Sequence, residues 1–127
     1  LTIRRHSGGS AFERDYGYAR AVSAGGLVFV SGTTADEADL GGDVQAQFRS
    51  AAGRVDAALQ ALGASMAEVV RTVVYVRDLS DAGAIASAHA AVFGANPPAS
   101  TVVEVARLTP APALVELEVT AVSGEKR

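Results

Sequence analysis

The sequence predicts an α+β fold in one domain spanning residues 1–127, with one mixed sheet of about six strands and two helices on one sheet face. Three observations carry this. Short β-branched runs alternate apolar and polar residues with period two. Longer stretches repeat apolar residues at three- and four-residue spacing, the period of a helix. The strands holding Val28, Val30, Val74, Val76, Val103 and Val105 also have apolar residues at adjacent positions, so both sheet faces need cover. Two helices cover only one face. The other is expected to be buried by further copies of the chain.

Taken in order, Thr2–Arg5 reads as an edge strand and Ser7–Ser10, rich in Ser and Gly, as a loop. Ala21–Ala24 and Leu27–Thr33 form a hairpin around Gly25 and Gly26, which suit the positive φ angles of a tight turn. Glu37–Gly42 is a further loop. Asp43 is a helix N-cap and Gly63 a helix stop. Between them Val44, Phe48, Ala51, Val55, Leu59 and Leu62 form an amphipathic stripe. Ser65 and Glu68 have capping-box spacing and predict one helical turn. Val69–Arg77 is a valine-rich strand. Ser80 is expected to cap a second long helix running through Phe93, ended by Gly94, Pro97 and Pro98. Thr101–Val105 and Leu114–Val122 are the last strands. In the latter, Val115, Leu117, Val119 and Ala121 alternate with Glu116, Glu118 and Thr120.

Composition narrows the function classes. Hydrophobic residues make up 49%, yet no apolar run approaches the ~18 residues of a membrane span. Arg4, Arg5, Glu13, Arg14, Asp15 and Arg20 make the N-terminal region too charged for a signal-peptide core, so a cytoplasmic location is expected. Cysteine is absent, which rules out thiol catalysis, thiolate metal sites and disulfides. Net charge is −3, and ten arginines and one lysine are scattered, without the basic stripe of a nucleic-acid binder. No dinucleotide fingerprint, phosphate loop, zinc-protease motif or nucleophile elbow is present. His6 and His89 are too few for a typical histidine metal site, so no metal is expected.

Five features invite a functional reading beside a plain one. Glu116 and Glu118 share a strand face, either as solvated charges or as carboxylates in an intersubunit cleft, where burial would raise the pKa and make an acid or base. His89 is a surface or interface residue, or a donor and proton carrier in a pocket. Tyr16 and Tyr18, flanking Gly17, are packing residues or a lid. Gly32, in Ser31–Thr34, closes a turn or lets a ligand approach backbone amides. Ser100, in "NPPASTVVEV", begins a strand or stands where chemistry occurs; as a nucleophile it would need a base within hydrogen-bond reach.

The segments "YARAVSAGGLVFVSGTT" (Tyr18–Thr34), "GASMAEVVRTVVYVRDL" (Gly63–Leu79), "AHAAVFGANPPAS" (Ala88–Ser100), "VEVARL" (Val103–Leu108) and "LVELEVTAV" (Leu114–Val122), in that order, resemble the RidA/YjgF family. The resemblance implies a chorismate-mutase-like fold, a homotrimer whose sheets form a central barrel, and small-molecule ligands in clefts between subunits. It also implies hydrolysis of reactive imines and enamines to 2-keto acids and ammonia without a cofactor. Family positions fall on Tyr18, Gly32 and Glu116, the last as the catalytic carboxylate. The family's pocket arginine falls on Ser100. The residue two beyond it, often Cys or Thr, falls on Val102, and a helical asparagine falls on Ala86. Arg20 stands where the family usually has Gln. His89 shares a helix face with Ala86 and is expected to line the cleft with Ser100.

Serine cannot make the charge-assisted contact of a guanidinium with a carboxylate. The expected substrate is therefore imine- or enamine-like but not a standard 2-imino acid, held by hydrogen bonds. The alternative is a non-catalytic trimer that binds a small metabolite. A nuclease or translation-associated role, which some family members carry as a label, does not suit the acidic charge.

Overall fold

The computed structural model describes residues 2–123; Leu1 and residues 124–127 of the expected 1–127 domain lie outside the described residues. The elements are β1 (Arg4–His6), α1 (Ala11–Tyr16), β2 (Ala21–Ala24), β3 (Leu27–Thr33), α2 (Val44–Ala61), β4 (Val69–Val76), α3 (Ala82–Phe93), β5 (Ala99–Glu104) and β6 (Val115–Val122), with short 3-10 turns between some of them. The strands form one six-stranded sheet in the order β1-β2-β3-β6-β4-β5. Only β4 and β5 pair in parallel, so the sheet is mixed as expected. Parallel neighbours need a crossover, and α3 supplies it.

Local chemistry explains the elements. Asp43 caps α2 by accepting the Ala46 N–H at 2.9 Å. Gly63 leaves the helix at φ +82°, and Gly25 and Gly26 take φ of +59° and +80° in the hairpin turn. Ser65 and Glu68 form the expected capping box around a 3-10 turn.

Two expectations are corrected. Ser80 does not cap α3. Its N–H is held by the Asp78 carboxylate at 2.9 Å inside a 3-10 turn, and α3 starts after Asp81. Beyond the two helices expected, Ala11–Tyr16 forms a third, short one. Ser10 accepts the Glu13 N–H at 3.2 Å, while the Glu13 carboxylate accepts the Ser10 hydroxyl at 2.9 Å and the Gly8 N–H at 2.8 Å. Smaller differences lie at the ends. The first strand is Arg4–His6, still at the sheet edge, and β5 begins two residues early, at Ala99.

Alternation decides what is buried. Val28, Val30, Val74, Val76, Val115, Leu117 and Val119 turn to one sheet face and meet Phe48, Val55 and Leu59 of α2, all essentially inaccessible to solvent. Ile85, Ala88 and Phe93 of α3 complete this core. The opposite face carries Val22, Phe29, Val73 and Tyr75 together with Glu116 and Glu118. Phe29 is 45% exposed there, and the other five are half-buried. The two long helices, α2 and α3, thus lie on one face, and the described chain leaves the other uncovered. Among the described residues, no helix is long and apolar enough to cross a membrane.

Candidate functional site

Two cavities hold the residues singled out from the sequence. The first, of about 650 Å³, is lined by Tyr18, Gly32 and Glu116, with Arg20, Arg54 and Arg107 around them. Glu116 reaches it because the β3–β6 register slips between Val30 and Thr33. A bulge there opens the ladder beside Gly32. A Cβ on Gly32 would lie 2.7 Å from Glu116 Oε2, so glycine permits the carboxylate to pack against the backbone.

Glu116 differs from its neighbour Glu118. Glu118 is committed, accepting the Tyr75 hydroxyl at 2.8 Å. Among the described residues, no donor reaches the Glu116 carboxylate within hydrogen-bond distance. Burial raises its pKa above the ordinary carboxylate value, Arg20 partly offsets this, and Glu118 adds to it. A half-buried carboxyl with free oxygens and an upward-shifted pKa can both give and take a proton.

Arg20 organises this end. Its guanidinium lies 5.4 Å from the Tyr18 ring centroid, and Nη2 donates to the Gly32 carbonyl at 2.9 Å. Its Nε is buried without a partner among the described residues. Arg54 of α2 donates to the Thr34 carbonyl at 2.8 Å. Arg107 lies beyond the end of β5 and lines this cavity rather than the one that holds Ser100. The three arginines converge from β2's approach, α2 and the segment after β5. Their convergence makes the Glu116 cavity more cationic than the sequence implies, and no local pattern signals it. Tyr16, 77% exposed at the end of α1, stacks edge-on against Phe12 at the mouth.

One consequence is direct. Gly32→Ala should force Glu116 aside and reduce any Glu116-dependent activity by about tenfold or more, with little loss of stability. Kinetics and a thermal melt, run side by side, check it. A large fall in melting temperature would assign Gly32 to folding instead.

The second cavity, of about 480 Å³, lies between α3 and β5 and is lined by Ala86, His89, Ser100 and Val102 among mostly apolar neighbours. Parallel pairing sets Ser100 opposite Thr72 and Val102 opposite Val74, so both face the helices. Thr72 Oγ1 lies 2.7 Å from Ser100 Oγ and 2.9 Å from His89 Nε2. His89 packs between Phe48 and Phe93, with ring centroids at 6.0 Å and 4.7 Å. Burial lowers its pKa below the ordinary histidine value and favours the neutral ring. Thr72, fully buried, was not singled out from the sequence; only the β4–β5 register identifies it.

The His89 shift has a stability consequence. A histidine whose folded pKa is depressed contributes stability above its unfolded value, about 6.5. That contribution is lost as pH falls through the lower folded value. His89→Gln should flatten the acid limb of a melting-temperature profile in that window. An unchanged limb would remove His89 from the acid response.

Within one chain the two sets of residues do not meet. Tyr18, Gly32 and Glu116 share the first cavity; His89, Ser100 and Val102 share the second. Among the described residues, no cluster of three or more His, Cys, Asp or Glu side chains could hold a metal ion.

The family model described as Endoribonuclease L-PSP matches residues 9–123. The uncharacterised protein SCO2049 of Streptomyces coelicolor is 35% identical over 125 residues, spanning 96% of this chain and 93% of that one. The 2-iminobutanoate/2-iminopropanoate deaminase of Salmonella typhimurium is 35% identical over 111 residues, spanning 83% of this chain and 86% of the enzyme. Among solved structures, Rv2704 of Mycobacterium tuberculosis, a member of the YjgF/YER057c/UK114 family, superposes with a TM-score of 0.89 at 42% identity. The match covers 95% of this chain and 99% of Rv2704.

Proposed function

The chain belongs to the Endoribonuclease L-PSP (YjgF/RidA) family, and from that premise we propose that it hydrolyses a small imine or enamine without a cofactor, in clefts between the subunits of a homotrimer. The observation that carries the reading is Glu116, whose uncommitted, half-buried carboxyl has its pKa raised beside a cavity. In the proposed reaction the Glu116 carboxyl protonates the imine nitrogen, and water adds to the carbon. The carboxylate then takes a proton from that water, and the carbinolamine collapses to a carbonyl compound and ammonia. Tyr18 and the Gly32 backbone orient the substrate.

Assembly completes the cleft in this reading. Phe29, Val22, Val73 and Tyr75 on the uncovered sheet face supply the apolar contact between copies. Tyr18, Gly32 and Glu116 of one subunit then work with His89, Ser100 and Val102 of the next.

The Ser100 half sets the substrate class. Its lining carries no charged side chain, apart from any charge His89 acquires. It therefore suits a neutral group better than the carboxylate of a 2-imino acid. Hydrolysis of freshly generated 2-iminopropanoate by wild type and by Ser100→Arg tests this. The expected result is slow turnover by wild type and a gain of about 10- to 150-fold in the variant, the worth of a charge-assisted contact. Equal, rapid turnover by both would mean that another cation, Arg20 or Arg107, holds the carboxylate. If both assemble as trimers and neither hydrolyses any imine, Ser100 and Ala86 favour the second reading, a trimer that binds a metabolite without transforming it.

A further inference from the structure

The sharpest unexplained feature is the row of side chains running from the ring of His89, through the hydroxyl of Thr72, to the hydroxyl of Ser100. It joins α3, β4 and β5, and the middle member is sealed from solvent. A buried hydroxyl has one proton to give, so the row has two complete arrangements. In the first, His89 Nε2–H donates to Thr72, Thr72 donates to Ser100, and the Ser100 proton is free to face the cavity. In the second, Ser100 donates to Thr72, Thr72 donates to Nε2, and Ser100 shows the cavity only lone pairs.

The far end of the row is open. His89 Nδ1 has no hydrogen-bond partner among the described residues and is not among the buried unpartnered atoms, so it reaches solvent. Ser100 is exposed at the cavity end. Phe48 from α2, Phe93 from α3 and Thr72 from β4 surround the ring, and none of them is charged.

We propose that Ser100, Thr72 and His89 form a proton relay, through which Ser100 gives a proton to, or takes one from, a neutral carboxamide, carbonyl or imine group of a ligand in the α3–β5 cavity. The balance closes. When Ser100 passes its proton to the ligand, Thr72 re-protonates Ser100, and Nε2 re-protonates Thr72. Nδ1 takes a proton from solvent, leaving the other neutral tautomer of the ring. The reverse sequence removes a proton from the ligand. The cavity's apolar lining, with Ile85, Ala86, Phe93, Pro98 and Val102, fits the uncharged part of such a molecule. The inference rests on reading this cavity as half of the ligand cleft; it does not need Glu116 or turnover.

The test uses the full chain, labelled with nitrogen-15, and two probes of similar shape, propanamide and propanoate. Propanamide should perturb the Ser100 and Val102 amides and change the tautomer reported by the His89 ring nitrogens; propanoate should not. Thr72→Val should abolish the tautomer response and weaken propanamide roughly three- to tenfold, the worth of a neutral hydrogen bond. Thr72→Ser, which restores a hydroxyl, should bring the response back. A tautomer response that survives in Thr72→Val, or propanoate binding as tight as propanamide, overturns the proposal. Should Thr72→Val fail to fold, Ser100→Ala decides in its place, since an unchanged His89 response to propanamide there overturns the relay equally. Loss of activity in a Glu116 variant would bear on the hydrolase reading and leave this result untouched.

Discussion

Glu116→Gln should lower imine hydrolysis by two to four orders of magnitude, the usual worth of a general acid–base group, while making the folded chain more resistant to heat at neutral pH. The two effects have one cause. Burial raises the Glu116 pKa, and Arg20 only partly relieves it. A carboxyl with a raised folded pKa binds its proton more tightly when folded. Its favourable contribution to stability is therefore complete below the unfolded value, about 4.3, and is lost as pH rises through the folded value. Above that folded value the wild type holds a poorly solvated charge that glutamine removes. The melting temperature of the variant should exceed that of wild type at pH 7, and the gap should narrow towards pH 4. Paired melts across that range, with single-turnover kinetics at each pH, check both halves. Unchanged turnover would take Glu116 out of the mechanism. A variant less stable at pH 7 would mean that unseen partners satisfy the carboxylate.

Gln47→Leu should cost about 3–5 kcal/mol of stability, a large effect for one residue that touches no ligand. Gln47 sits on the core side of α2 and is fully buried. Its Nε2 donates to the carbonyls of Leu40, Gly42 and Pro112 at 2.9, 3.2 and 3.3 Å, and its Oε1 accepts the Leu114 N–H at 2.8 Å. The side chain thus ties the entry to α2 to the segment leading into β6. Leucine fills the volume but satisfies none of these groups, and a buried N–H without an acceptor costs about 1–3 kcal/mol by itself. For a chain of this size the melting temperature should fall by about 10–20 °C. Thr109, Pro110 and Ala111, in the segment that Gln47 secures, line the Glu116 cavity. KM for the proposed hydrolysis should therefore rise in the protein that remains folded. Chemical denaturation measures the first effect and steady-state kinetics the second. A loss below about 1 kcal/mol would show that water replaces the amide.

An element is legible in the sequence when the signals that form it lie within it. The α2 helix was legible because its signals lie within it, namely the Asp43 cap, the apolar stripe from Val44 to Leu62, and Gly63. β6 was legible because strict alternation needs no knowledge of its neighbours. The Ala11–Tyr16 helix escaped because six residues hold too little periodicity, although Ser10 and Glu13 have the capping spacing that would have marked it. Ser80 is not the cap because Asp78 and Asp81 compete for the same helix start, and the choice depends on where the 3-10 turn closes.

For the site, Glu116, Gly32 and Tyr18 were readable as a set by family resemblance, and they do share a cavity. Nothing local marks Thr72, or the placing of Arg20, Arg54 and Arg107 in the lining of the Glu116 cavity. The sequence by itself determined most of the elements, the class of fold and the family, because helix caps, periodicity and turn residues act over only a few positions. The tertiary structure decided that a buried threonine links His89 to Ser100 and that three arginines line the cavity that Glu116 lines. His89 and Ser100 lie 17 and 28 positions from Thr72, and their contacts depend on strand register and on which face each side chain takes. A shift of one residue in the β4–β5 pairing would turn Ser100 to the other side of the sheet.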